Sequence, residues 1–352
     1  MKIFWALFCV AIFFTHVSAS PVSAHDVEEY DDYTYINETT GTMVHIYVED
    51  GIRYFEANAI PDHETGNFPN AGNPNHISAQ NLRLSAPAEP KIASTPTTVG
   101  LGKFGLAING VPFERAAAEW YNDDPQSGWQ YDAFGGGIQL GFDFNNAHVQ
   151  PTGLYHYHGV PDVLLDGESL SAHPHLVGFA ADGFPIYLRY SYENPSDPAS
   201  EVVELQSSYQ LKTGMRRGGP GGEYDGTFNE DWEYIAASGD LDQCNGRYGV
   251  TPEYPDGTYY YVLTENFPRV PMCWSGTPGQ GWSGPGGTGR SQTSTNTNDN
   301  RPDLAIAARE LGITQQQLQQ ALGDPPPDFS AAAQRLGIPL QQLIDALQVA
   351  RQ

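Results

Sequence analysis

The sequence predicts a mainly β fold, a hairpin-rich sandwich or barrel, with a short α-helical repeat module at its C-terminus. Three observations carry this. Asp-Gly or Asn-Gly pairs stand at 50–51, 109–110, 182–183 and 256–257, each beside an apolar or aromatic run. Such pairs accept positive φ at little cost and so favour tight reversals. The 352 residues include 38 Gly and 27 Pro, a punctuation that suits many short strands. No long amphipathic helix pattern occurs before residue 300.

Taken from the amino terminus, Lys2, the apolar run 3–14 and the small residues after it predict an export signal over 1–19. Cleavage is expected after Val17-Ser18-Ala19. The alternative, after Ala24, would expose His25, whose amine and ring can chelate copper. The run is shorter than the roughly 20 apolar residues of a membrane span. A secreted protein, extracellular or periplasmic, is therefore expected. Without the signal two cysteines remain, Cys244 and Cys273, and in an oxidising compartment an isolated pair is most simply a disulfide.

Residues 20–40 are acidic and hydroxyl-rich and read as a mobile lead-in. The β domain is placed at 41–275. Val44, Ile46 and Val48 alternate with His45 and Tyr47, the period of a half-buried strand, and 52–57 is its return. Further strands are expected at 104–108, 176–181, 184–187 and 259–263. Residues 276–300 are almost devoid of apolar side chains and read as a Gly/Ser/Thr linker. Beyond it, 301–352 carries two 25-residue units. Leu311-Gly312-Ile313 recurs as Leu336-Gly337-Ile338, and Gln316-Gln317-Leu318 as Gln341-Gln342-Leu343. Each unit reads as helix, Gly stop, second helix.

Lys and Arg number 17 against 42 Asp and Glu, a net charge of −25. Phosphate recognition needs clustered cations, so nucleic acid is not an expected partner. The string 307–314 looks like the start of a helix-turn-helix, yet the next helix, 315–322, has no Lys or Arg. The module is read instead as a surface for self-packing or a protein partner.

All ten histidines lie at or before residue 175. His148, His156, His158, His173 and His175 are the densest group. On a strand, residues two apart share a face, so His156 and His158 project together while Tyr155 and Tyr157 face the other way. An HxH pair suits Zn²⁺, Cu²⁺ or Fe²⁺. The turn Pro151-Thr152-Gly153 allows His148 to fold back beside it. The metal ligands expected are His156 and His158 helped by His148 or His173, and the ion copper or zinc. The bland alternative is an aromatic ladder of hydrogen-bonded core histidines.

Other chemistry is thinner. Asp182 is most simply a turn residue. Residues 239–246 resemble a calcium loop, but glycine and acid fall at the wrong positions, and a disulfide-pinned turn is preferred. Arg216-Arg217 beside glycines could hold an anion, though a solvated loop is favoured. Catalysis by paired carboxylates, with Asp143, Asp166, Asp182, Asp225, Asp231, Glu233, Asp240 and Asp242 as the pool, ranks third behind metal binding and a metal-free extracellular structural or interaction module.

Several of these segments together carry a family resemblance. The run 151–161, PTGLYHYHGVP, resembles the signature of secreted YHYH-domain proteins, as do 109–112, 145–148, 180–187 and 239–246 in that order. The resemblance covers roughly residues 50 to 275 and supplies a boundary without an established reaction. It implies that His148, His156, His158 and His173 fall on histidine-bearing motifs, with His175 peripheral. Where the family often has a histidine after its Gly-Thr-Tyr segment, this chain has Tyr260.

Overall fold

The fold is read from a computed structural model, which describes residues 27–165, 172–283, 307–309, 311–322, 329–339, 342, 343 and 346. The export signal at 1–19, the second cleavage place, Asp166 and the linker residues 284–300 lie outside the described residues. The chain divides into two compact units, Met1–Gly289 and Arg290–Gln352.

The first unit is built from strands. β1 (Asp32–Asn37), β2 (Thr42–Glu49), β3 (Ile52–Ala57) and β4 (Leu82–Pro87) form a four-stranded antiparallel meander. The alternation expected in β2 is present, with Val44 and Ile46 buried and His45 and Tyr47 half-buried. Its turn to β3 places Asp50 and Gly51 at φ 51° and 75°, so Glu49 pairs directly with Ile52. A two-residue reversal of this kind needs positive φ at both positions.

The next strands are β5 (Ile92–Thr98), β6 (Lys103–Ala107), β7 (Pro112–Glu114), β8 (Ala147–Val149), β9 (Tyr155–Tyr157) and β10 (Gly178–Ala180). After them come β11 (Pro185–Leu188), β12 (Tyr190–Tyr192), β13 (Val202–Glu204), β14 (Tyr209–Leu211) and β15 (Trp232–Tyr234). The last are β16 (Gly246–Gly249), β17 (Thr258–Leu263) and β18 (Cys273–Gly276). Eight of these make one sheet in the order β16-β17-β11-β10-β6-β7-β9-β8. The ladder stays open, with β16 and β8 at its two edges, so the sandwich alternative holds over the barrel. Val44, Ile46, Phe55 and Leu84 of the small sheet share one buried cluster with Phe104, Leu106, Phe113, Phe179 and Tyr261 of the large one.

Local turns account for the β6–β7 and β10–β11 reversals at Asn109-Gly110 and Asp182-Gly183. They do not account for the parallel pairs β11–β17 and β7–β9, which join segments far apart in sequence. Asp256-Gly257 likewise belongs to a longer connection, since β16 ends at Gly249 and pairs there with Thr258.

Two expected boundaries move. The stretch read as a mobile lead-in is structured from Val27, and β1 pairs with β2 along its whole length. Its acidic side chains hid the Tyr33/Tyr35 alternation. Arg53, only 3% exposed, anchors this segment through the Tyr30 carbonyl and Asp31 Oδ1 (2.9 Å), with its guanidinium 4.4 Å above the Phe179 ring. At the other end, the β unit continues past residue 276. Trp282 is buried and donates its indole N–H to Ser85 O (2.8 Å), while the main chain of Gln280 pairs with Ser85.

The disulfide Cys244–Cys273 is formed. It pins the turn read as a weak calcium loop, and Asp242 organises that turn by accepting from the N–H groups of Cys244 (2.9 Å) and Gly246 (3.1 Å) and from the Tyr259 hydroxyl. Arg216 is gripped by Asp231, Asp225 and Gly221 O, which removes the anion-loop reading.

Asp182 does more than turn the chain. Its Oδ2 accepts from the Tyr261 hydroxyl (2.5 Å) and the Gly276 N–H (2.7 Å), while Oδ1 is buried without a partner. Burial pushes its carboxyl up to about 6, against the opposing pull of those two donors. Between about pH 4, where the unfolded chain takes up this proton, and about pH 6, the folded state holds more of it. The stability contributed by this group therefore falls as pH rises through that window and is level above it, a span worth about 3 kcal/mol. Denaturant unfolding of the wild type and Asp182→Asn at pH 4 and pH 7 should show their difference moving by that amount in the variant's favour. A difference that ignores pH would contradict the assignment.

In the second unit, α1 (Gln315–Leu322) and α2 (Phe329–Leu336) are described. Positions 25 apart carry matching burial: Ala307 with Ala332, Ala308 with Ala333, Leu318 with Leu343, and Ala321 with Ala346. Gly312 and Gly337 both adopt left-handed φ, 69° and 68°. Helix ends favour glycine there.

Candidate metal centre

The site grows from the β8–β9 pair. Between the strands, Gln150 N–H donates to Leu154 O and Gly153 N–H to Gln150 O, closing the expected turn. Gly153 sits at φ 87° against Ser78, where a Cβ would come within 1.8 Å of the Ser78 hydroxyl. This reversal sets His148 directly opposite His156. His158 lies just beyond β9, its N–H bonded to Asn146 O (2.8 Å). It returns to the same face as His156.

The two faces of β9 separate as the alternation requires. On one, the Tyr155 hydroxyl donates to Asp143 Oδ2 (2.8 Å). Tyr157 OH meets His63 Nε2 (2.6 Å) and the Asn109 side-chain amide (3.1 Å). On the other, three imidazoles converge. His156 Nε2 is 2.9 Å from His158 Nε2, which is 3.1 Å from His148 Nε2. All three atoms lie within 4.8 Å of one another, a grouping that can hold a metal ion. In a tetrahedral zinc site with Zn–N of about 2.0–2.1 Å, neighbouring nitrogens stand roughly 3.3 Å apart.

Carbonyl partners assign the tautomers. His148 Nδ1 donates to Leu140 O (2.9 Å) and His156 Nδ1 to Leu154 O (3.2 Å), so both present bare Nε2 lone pairs to the centre. His158 Nδ1 is buried without a hydrogen bond. If its proton sits on Nε2 instead, that one hydrogen cannot satisfy two acceptors fully. At least one buried lone pair thus faces the centre with no donor of its own. Burial lowers the proton affinity of all three rings, most strongly for His156 and His158, where the neighbouring imidazoles lower it further. Neutral imidazole is the ligating form.

Phe142 packs on His148 and His158, with ring centroids 5.0 and 5.2 Å away. The Nδ1–carbonyl bonds fix the ring orientations, as outer partners do at metal-binding histidines. The three histidines also line a pocket of about 500 Å³ together with Glu114, Gln150, Leu140 and Ala117.

His173 is not brought to this centre. Its Nδ1 faces Pro174 O and its Nε2 the Ser191 hydroxyl, each at 2.9 Å, among Tyr187, Tyr192 and Tyr260. The second histidine pair lies on a separate segment before β10, and nearness in sequence to β9 did not become nearness in space. Tyr260 belongs to this second group, bonded to Ser191 Oγ (2.7 Å) and Arg247 Nε (2.6 Å). His175 is exposed.

Sequence reasoning missed Glu114, Gln150 and His63, and misjudged Asp143. Asp143 is a positioning residue: besides Tyr155, its carboxylate accepts from the N–H groups of Gly66 (3.0 Å), Asn145 (2.9 Å) and Ala147 (3.2 Å), shaping the loop that delivers His148. Glu114 reaches the pocket because β7 pairs in parallel with β9, Phe113 opposite Tyr157.

The sequence model of a family described as YHYH protein matches residues 83–276, more than half of the chain. The match takes in β8, β9 and the three converging histidines. No curated protein and no solved structure matches the chain.

Proposed function

The chain belongs to the YHYH protein family, and we propose that its β domain holds one divalent transition-metal ion, Zn²⁺ or Cu²⁺, through His148, His156 and His158, outside the cytoplasm. The observation that carries the reading is the convergence of three Nε2 atoms, on buried His156 and His158 and half-buried His148, two of them committed to the unprotonated form by carbonyl bonds at Nδ1. A hydrogen-bonded core histidine would spend its second nitrogen on a donor. These spend theirs on each other.

The Cys244–Cys273 disulfide supports an oxidising location, in keeping with the export expected from the apolar run 3–14. The pocket supplies a path by which an ion can enter. Calorimetric titration of chelator-stripped protein, produced without a histidine tag, is expected to show one equivalent of Zn²⁺ or Cu²⁺ taken up per chain. The double substitution His156→Ala plus His158→Ala is expected to abolish that uptake while His173→Ala retains it. A wild type that takes up no stoichiometric metal would end the proposal.

A further inference from the structure

Resting on that reading, we infer that Glu114 supplies the fourth donor to the ion, so that the site is a three-histidine, one-carboxylate shell. Glu114 ends β7 with 6% of its surface exposed, and His156 shows 1%. Its Oε2 stands 3.7 Å from His156 Nε2. That gap is too long for a hydrogen bond. It also has no proton to carry one, because His156 has placed its hydrogen on Nδ1, toward Leu154 O. A carboxylate oxygen and an imidazole lone pair therefore face one another in a buried wall. Two such acceptors repel unless a cation lies between them.

The neighbours of Glu114 fit a ligand held ready. Gln150 Nε2 donates to the same Oε2 (2.7 Å) and fixes its direction. Gln150 follows β8 directly, so the hairpin that carries His148 also carries the group that orients the carboxylate. Burial pushes the Glu114 carboxyl above its ordinary range, and two neighbours pull the other way: Lys103, opposite it across the β6–β7 ladder, and the Gln150 amide. Both Glu114 and the three histidines line one pocket.

The consequence is chemical. Three nitrogens and one oxygen complete a tetrahedral shell for Zn²⁺, and closed shells are the mark of sites that retain an ion. The role that follows is holding or sequestering the metal, with no vacant tetrahedral position for a reacting water.

Competition against a chromophoric chelator measures the Zn²⁺ dissociation constant of wild type, Glu114→Gln and Gln150→Ala. Glu114→Gln is expected to weaken Zn²⁺ binding at least tenfold with one equivalent still bound, and to change the visible spectrum of bound Co²⁺. Gln150→Ala is expected to weaken it less, and it serves alone should Glu114→Gln fail to fold. Wild-type uptake with both variants within twofold of it would overturn the Glu114 assignment and leave the three-histidine site standing. A wild type without uptake would remove both.

Discussion

Asp143→Ala is expected to lower folding stability by about 3 to 5 kcal/mol and to weaken metal binding about 10- to 100-fold, although Asp143 touches no metal-facing nitrogen. Its two carboxylate oxygens accept four hydrogen bonds, from Tyr155 OH and from the N–H groups of Gly66, Asn145 and Ala147. Bonds to a charged acceptor are worth more than neutral ones, and removing it strands donors that cannot all find water. Ala147 opens β8, so the loss reaches His148 one residue later. Asp143→Asn keeps one acceptor oxygen and should recover part of both effects. Denaturant unfolding gives the first quantity and chelator competition the second. A variant with wild-type metal affinity would show that the loop does not position His148.

Replacing both cysteines with serine should cost about 3.6 kcal/mol, the chain-entropy value for the 29-residue separation of Cys244 and Cys273. For a domain of this size that corresponds to a fall in melting temperature of roughly 10 °C. The bond ties the Asp242 turn, which leads into edge strand β16, to β18. Its removal should leave metal stoichiometry unchanged, since β8 and β9 lie at the other end of the large sheet. Calorimetry with and without reductant measures the first, titration the second. Equal melting temperatures would mean that the unfolded chain is already restrained by other means.

How much of this was legible in the chain depended on the range of each interaction. The β2–β3 hairpin was readable because alternation and Asp50-Gly51 both act locally. The two-faced Tyr155-His156-Tyr157-His158 strand was readable for the same reason, and Pro151-Thr152-Gly153 announced the return of His148. Glu114 was not readable. It arrives through the parallel pairing of β7 with β9, which no turn signal encodes. His173 misled because it repeats the HxH spacing, yet its two nitrogens are spent on Pro174 O and Ser191. Asp143 was visible only as one acid among many, since its importance lies in four donors drawn from residues 66, 145, 147 and 155. The lead-in was obscured by its own charge: Tyr33 and Tyr35 alternate with polar partners, and the anchor, Arg53, sits on a different strand.

The most direct test is an anomalous-difference map from crystals of Zn²⁺-loaded protein. One dominant peak is expected about 2.0–2.2 Å from the Nε2 atoms of His148, His156 and His158, with His173 far from it. A map with no peak at that convergence, or with the ion held by other side chains, would contradict it.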